Sequence, residues 1–582
     1  MDEHERTSIF ELFFGKFTTL KAICIISIIG FIVFFPALFN NFVWDDINQV
    51  LPNVIAYGLN IPKLFGQNYL SAFGYYRPVS SIYFSFIYAL FGSIPFFFHF
   101  PQIILHLVNG ILLFIFLKSF INKKISLFLA LIFVIHPIQV ESVSYIAQVI
   151  SVLCFLFGMS ALLLSREKVI KKKNLLLVFF LILLSLFTKE VGIIFIPIIL
   201  LFRYLFKKGS LVIYSVLSFF TVCAYFLIRF YVGGIYFYKM TFVPISRVSF
   251  PMRFINIPEI IFYYLKTFLF PIKLVIMQNW TITEMNFPQF YFPMLVVSAL
   301  SLLDIIVGVY LHKAKKDIRG YIFFSLWFIL GISFYLQIIP LDMTVADRWF
   351  YLPLAGLLGL IGVTIQNVSI QDEKIKILMF LISVSIVLLL SFRTILRDIN
   401  WQSPTDLYTH DSMVEDDYNI ESNLAFELQS GGKFDEALIH YKKSLSLYPY
   451  DATFNNVAWI YEKNKNYKMA KEYYLKAITA LSYALPPHKH EFYLYRNIGR
   501  FFLYFDNPIL AEKYIKQGLS EYPSDAILWL LLSVDDYSQG HRIDATNDVK
   551  KAYALNPSER IKMLYLDMRN NQPVNVPVEI FY

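Results

Sequence analysis

Cysteine is scarce in this chain, and its scarcity excludes two classes of protein at once. There are three in 582 residues (Cys24, Cys154 and Cys223), each inside an apolar run. They read as small core residues, and no disulfide framework or thiolate metal site can be assembled from them. A Gly-rich phosphate loop, a Gly-x-Ser-x-Gly elbow and any cluster with metal-ligand spacing are also missing from the sequence. No residue pattern indicates a divalent metal or a cofactor. A cleavable leader is missing too: "MDEHERTSIFELFFGKFTTLK" feeds an apolar segment with no small-residue cleavage pattern behind it, and so reads as a signal anchor retained as the first span.

What is present is hydrophobicity. The chain is 57% apolar, with 60 Phe and 39 Tyr, and its mean hydropathy is +0.56. That is a polytopic membrane protein. The net charge of +9 resembles a nucleic-acid signal until its placement is checked. Lys and Arg concentrate in short loops such as "LKSFINKK", "REKVIKKK", "RYLFKK" and "HKAKKDIR", as orientation signals do. No nucleic-acid partner is expected.

A span needs about 20 apolar residues. The runs predict eleven crossings, near 20–38, 96–117, 125–136, 143–165, 174–188, 191–206, 210–232, 291–311, 321–340, 350–367 and 374–392. Several are short, which suggests polar groups at membrane depth beside a cavity. The Pro-punctuated stretch 254–276 is expected to dip into the membrane without crossing it. The basic loops alternate with loops poor in Lys and Arg, which puts the N-terminus in the cytoplasm and residues from 393 onward outside. The aromatic-rich region 231–292 reads first as an interfacial belt and second as a rim where lipid and sugar meet.

Near residue 391 the composition turns polar and helical in period. Ala437, Ala470, Ala511 and Ala545 recur at intervals of about 34 residues, with one longer gap that holds "YALPPHKHE". Small residues precede each by twelve positions: Ala425, Ala458, Gly499 and Ser533. Pro449, Pro523 and Pro557 close three of the units. This resembles the tetratricopeptide repeat, a helix–turn–helix unit that stacks into a curved solenoid with a concave binding face.

With that topology, Asp45, Asp46, Tyr76, Arg77, His136, Glu141, Lys189, Glu190, Asp347 and Arg348 all fall at the outer face. Each has a bland alternative. One of the two adjacent acids would serve as the N-cap of a short surface helix, which accounts for one carboxylate and leaves the other. Arg77 precedes Pro78, a good first residue for an interfacial helix, and would then only snorkel. Lys189–Glu190 and Asp347–Arg348 would each form a local ion pair. His99 and His106 share one face of the second span and read as hydrogen-bonded inside the bundle. Glu141, entering the membrane, is too costly for a purely structural part.

Taken in order, "FVWDD", "YYRPVSSIYF", "FHFPQIILHLVNGILLF", "HPIQVESVSYIA", "FTKEVGIIFIPIILL", "ADRWFYLPLAGL" and "RTILRDINWQSPTDLY", followed by the repeats, resemble the transmembrane and tetratricopeptide-repeat O-mannosyltransferases and their prokaryotic relatives. The resemblance covers nearly the whole chain. It implies an all-α fold: a C-type (GT-C) glycosyltransferase membrane domain at 1–392 with a first extracytoplasmic loop at 39–95. A junction at 393–417 and an extracytoplasmic repeat domain at 418–582 would follow.

It also implies a polyprenyl- or dolichyl-phosphate sugar as donor, met at the outer leaflet of a plasma or endoplasmic-reticulum membrane. A Ser or Thr hydroxyl of an exported protein, held in the repeat groove, would be the acceptor. Asp45 matches the first acidic position, where a base takes the hydroxyl proton, with Asp46 positioning it. Two adjacent acids should also push one pKa upward. Glu141 matches the second-loop acid and would bind acceptor or donor. Lys189, Arg348 and Arg77 would steady the departing phosphate, with His136 as phosphate contact or proton donor and Tyr76 and Glu190 beside them. Inversion at the anomeric carbon follows from a single displacement. An oligosaccharide ligase and a glycolipid-modifying transferase stand as rivals within the enzyme class, and a non-catalytic repeat scaffold or a flippase outside it. The four or so repeats are fewer than the longer arrays of eukaryotic members.

Overall fold

The computed structural model describes residues 17–66, 75–167, 171–234, 243–368, 372–482 and 492–574. The charged leader, part of the aromatic stretch 231–240 and the insertion "YALPPHKHE" lie wholly or partly outside them. Among the described residues the chain is helical, with one isolated antiparallel bridge, Gln278 to Val345. It divides into two compact units, Met1–Glu415 and Asp416–Tyr582.

Among the described residues of the first unit, six helices are long and apolar enough to cross a membrane: Pro95–Leu117, Ile146–Leu164, Leu211–Val232, Phe287–Lys313, Asp347–Gln366 and Glu373–Ile399. A seventh is counted if Lys123–Ile135 and Pro137–Val143, bent by 48°, form one span. Eleven is therefore more than length and composition alone support. Thr19–Val33, Pro78–Phe91 and Arg319–Ser333 are apolar but shorter. The expected pair at 174–206 is two helices of 17 and 11 residues, Lys172–Thr188 and Phe195–Leu205.

Burial sorts the six. The apolar windows of Ile146–Leu164 and Asp347–Gln366 are 78% and 67% buried, against 6% for Phe287–Lys313 and none for Glu373–Ile399. The first two form the middle of the bundle, and the last two turn apolar side chains outward, as lipid-facing helices do. Close packing at the centre needs small residues: a Cβ on Gly359 would lie 2.1 Å from the Phe324 ring. The bend at His136 has a local cause. Pro137 lacks an N–H and pushes the preceding residue into the extended region, where His136 sits at φ −68°, ψ 132°. Below the bend, the short helix Val140–Val143 carries Glu141 into the bundle.

The helix from Glu373 runs on to Ile399, past the expected end at 392. The segment read as a junction belongs mostly to the first unit, because it is tied down. Arg397 forks onto Asp411 at 2.6 and 3.1 Å, Asp411 also accepts the Ile276 amide at 2.7 Å, and Gln402 accepts from Asn41.

The second unit is four helix pairs and a closing helix: Tyr418–Ser430 with Phe434–Leu447, Asp451–Lys463 with Tyr467–Ser482, Phe492–Phe505 with Pro508–Glu521, Ala526–Ser538 with Arg542–Leu555, then Glu559–Arg569. The four periodic alanines are fully buried, and a Cβ on Gly499 would meet Ile515 at 2.5 Å. Asp417, Asp525 and Ser558 cap their helices through side-chain oxygens. Between the second and third pairs, Arg500 forks onto Glu462 at 2.5 and 2.9 Å, and the Tyr474 hydroxyl joins the same carboxylate at 2.9 Å.

Candidate active site

Asp45 and Asp46, at the start of the helical turn Asp46–Val50, bind different partners. Asp46 is fully buried and accepts the amides of Val43 at 3.1 Å and Ala147 at 2.7 Å. It closes a turn and pins the first loop to the second, so it is a structural anchor. Asp45 is partly exposed. Its Oδ1 accepts from Gln49 at 2.6 Å and its Oδ2 from the Tyr145 hydroxyl at 2.8 Å. Burial raises the Asp45 carboxyl above its ordinary range. The Tyr145 and Gln49 hydrogen bonds and the Arg348 charge oppose the rise, and the charge of Asp342 adds to it. Asp46 is pushed well above its range, again by burial first and by the Asp45 charge only as a lesser cause. The residue before them, Trp44, takes a left-handed backbone at φ 49° and stacks its ring on Tyr145 at 5.6 Å.

Neither expected local ion pair forms. Arg348 reaches across the bundle: its guanidinium binds Glu141 Oε1, and its own amide donates to Glu141 Oε2 at 2.9 Å. Glu141 is therefore the clamp that fixes Arg348, and its oxygens face protein. Asp347 accepts instead from Tyr263 at 2.6 Å. The second guanidinium nitrogen of Arg348 is more loosely held, 3.7 Å from Asp342 and 3.6 Å from Met343 Sδ.

Lys189 and Glu190 also separate. Glu190 receives Arg77 at 2.9 and 3.2 Å and lies 3.7 Å from Arg229. Lys189 donates to Ser151 at 2.9 Å. Its ammonium is pushed down to about 7 by burial and by the charges of Arg77 and Arg348, against the pull of Glu190. A small cavity is lined by Lys189 and Arg348 together, with Ser151, Cys154, Tyr335 and Tyr351. Two cations drawn from segments remote in sequence thus border one space, and the Arg348 charge also reaches Asp45.

Two expected members have their polar side-chain atoms committed to backbone groups. His136 has both ring nitrogens committed to backbone: Nδ1 accepts the Ile138 amide at 3.2 Å and Nε2 meets the Phe268 carbonyl at 2.9 Å. No nitrogen is left for a phosphate or a proton relay. The fully buried Tyr76 donates to the Phe65 carbonyl at 2.9 Å and stacks edge-on with Phe187, which makes it a packing residue. His99 and His106 lie inside the bundle, bonded to the Asn40 carbonyl, and to Tyr351 and the Val134 carbonyl. Among the described residues, no group of three or more His, Cys, Asp or Glu could hold a metal ion.

Comparison with known proteins points one way. "Protein O-mannosyl-transferase F38B6.6" of Caenorhabditis elegans is 25% identical over 75% of this chain and 64% of its own length. "Protein O-mannosyl-transferase TMTC3" of Homo sapiens is 22% identical over 81% of this chain and 56% of its own, and the Mus musculus protein of that name is 21% identical over 78% and 54%. The chain resembles the protein O-mannosyl-transferases. It spans 54% to 64% of the length of these curated relatives. The Tetratricopeptide repeat family matches residues 452–480, the second helix pair. A solved structure titled "Crystal structure of APC/C hetero-tetramer Cut9-Hcn1" aligns over 84% of this chain at a TM-score of 0.27 and 11% identity, too low to bear on the fold.

The cluster around Asp45, Lys189 and Arg348 contains groups that sequence reasoning passed over. Tyr145, Ser151 and Tyr335 are neutral residues of common type, and nothing marks one tyrosine among 39. Asp342 did carry a signal: in "QIIPLDMTVADRWF" it is a second acid, five residues before Asp347.

Proposed function

We propose that this protein is a membrane O-mannosyltransferase-like enzyme, which moves one sugar from a polyprenyl-phosphate donor to the hydroxyl of a Ser or Thr in an exported polypeptide. The observation that carries this reading is the shared space beside Lys189 and Arg348, with the partly exposed carboxylate of Asp45 under the influence of the same arginine. In that arrangement the acceptor hydroxyl gives its proton to Asp45 as its oxygen bonds to the anomeric carbon. The bond from that carbon to the phosphate oxygen breaks, and the departing polyprenyl phosphate takes its electron pair into the field of Lys189 and Arg348. Attack opposite the leaving group inverts the anomeric carbon. Arg77, paired with Glu190, extends the positive border, and Glu141 holds Arg348 in place.

The distribution of Lys and Arg between the spans supports a cytoplasmic N-terminus and a site open to the outer leaflet. The repeats are read as exposed to the same compartment, where they bind the acceptor chain. The test offers tritiated dolichyl-phosphate mannose and a Ser/Thr-containing peptide to membranes carrying wild type or Asp45→Asn. The variant is expected to lose roughly 10²- to 10⁴-fold in transfer rate, and equal label incorporation by both would remove Asp45 as the base.

A further inference from the structure

A base on a short loop works only if something aims it. Of the two donors on Asp45, Gln49 lies four residues further along the same stretch and moves with it. Tyr145 comes from a segment a hundred residues away. Its ring is fully buried, stacked on Trp44 at 5.6 Å and 15° and tilted against Trp401 at 5.7 Å and 31°. Its backbone is held as well. Gln102 Nε2 donates to the carbonyls of Ser142 and Tyr145, both at 2.9 Å, and the Ser144 hydroxyl donates to the buried Asp398, which Asn40 approaches at 3.4 Å. The first loop, the second loop and the end of the helix Glu373–Ile399 therefore converge on one phenol, whose hydroxyl points at Asp45.

We propose that Tyr145 is a positioning residue for Asp45: its hydroxyl keeps the carboxylate ionised and turned toward the acceptor, and the Trp44 and Trp401 rings keep the phenol from rotating away. A phenolic donor favours a carboxylate over a carboxylic acid, and a buried ring stacked on one indole and packed against a second keeps one orientation. The other groups that act on Asp45 are Gln49, Arg348, Asp342 and its neighbour Asp46. Arg348 pulls in the same direction as Tyr145, and the two acids oppose it. The catalytic part of this inference rests on the proposed transfer reaction; the effect on the carboxylate does not.

Two readouts keep these apart. In purified full-length protein the protonated Asp45 carboxyl is followed by infrared titration, its band identified by its loss in Asp45→Asn. Tyr145→Phe, which keeps the ring and removes the hydroxyl, is expected to move that titration upward by about one pH unit. An unchanged midpoint overturns the inference. If Tyr145→Phe does not yield folded protein, 3-fluorotyrosine placed at position 145 makes a stronger donor and should move the midpoint downward; no movement overturns it equally.

In the transfer assay with tritiated dolichyl-phosphate mannose, Tyr145→Phe should lose roughly 10- to 100-fold in kcat. The KM for donor should stay within about two-fold, and the acidic limb should shift in step with the infrared midpoint. Loss of activity in Asp45→Asn with a Tyr145→Phe enzyme of wild-type kcat and pH profile would sink the positioning role and leave the transferase reading standing. A shifted infrared midpoint with equal transfer by wild type and Asp45→Asn would leave the hold of Tyr145 on the carboxylate standing and remove Asp45 as the base, and with it the catalytic part of the inference.

Discussion

Each unit of the molecule contains an arginine–glutamate pair sealed from solvent, and the two pairs differ in what surrounds them. In the repeat unit, Arg500 forks onto Glu462 and Tyr474 completes the carboxylate's shell, a closed bolt between neighbouring helix pairs. In the membrane unit, Glu141 takes one guanidinium nitrogen and the amide of Arg348. The other nitrogen is left near a half-exposed acid and beside a cavity that Lys189 shares. Burial and pairing are common to both, so neither marks a site. What separates them is a second cation bordering the same space and a carboxylate within reach of the arginine. The lesson is that a buried ion pair earns functional weight only from what it leaves open.

The contrast can be broken most forcefully at the arginines. Arg348→Leu strands Glu141 in the interior and should cost roughly 3–5 kcal/mol in stability, together with a loss of transfer of about 100-fold or more. Thermal unfolding in detergent and initial transfer rates read the two effects. Arg500→Leu should destabilise the repeat unit by a similar ~3–5 kcal/mol, yet leave transfer to a short synthetic peptide within about two-fold, because its partners Glu462 and Tyr474 belong to the repeat unit alone. If both variants lose chemistry alike, the distinction between bolt and site disappears.

A smaller effect sharpens it. Lys189 is held near 7 by burial, below its ordinary value, and only its protonated form suits a phosphate. Below that pH the ammonium is already charged; as pH rises through it, donor binding must recruit a proton. Affinity for the donor should then fall about tenfold per pH unit above ~7, and Lys189→Met should flatten that dependence while raising donor Kd roughly 10-fold. A titration of tritiated dolichyl-phosphate mannose binding between pH 6 and 9 decides it; a slope that survives in Lys189→Met assigns the proton elsewhere. Smallest is Tyr76→Phe, which removes one hydrogen bond to a carbonyl. It should cost about 1 kcal/mol in stability with transfer unchanged, and a loss of transfer would bring Tyr76 back into the site.

The long apolar runs and the four repeats were readable in the sequence because both rest on periodicity, which survives without coordinates. The charged members of the cluster were readable for a related reason: Asp45, Glu141, Lys189 and Arg348 interrupt apolar surroundings where an unpaired charge is expensive. Partnership was not readable. Neighbours in sequence suggested Lys189 with Glu190 and Asp347 with Arg348, whereas the turns between helices send each pair of side chains to different elements. His136 and Tyr76 misled for the same reason, since a polar group at a span end looks available until its backbone partners are known. The number of spans is least legible where helices of 11 to 17 residues stop short of a bilayer's width.

Trp44 holds its ring against Tyr145 only by accepting a backbone twist that suits glycine better than an indole. Position 44 therefore answers to two masters. Glycine there would relax the chain but unstack the phenol, a β-branched side chain would worsen the twist and fill the gap poorly, and only a broad flat ring meets both needs. Changes to the surroundings of Asp45 are better made at the half-exposed Asp342 than at Trp44.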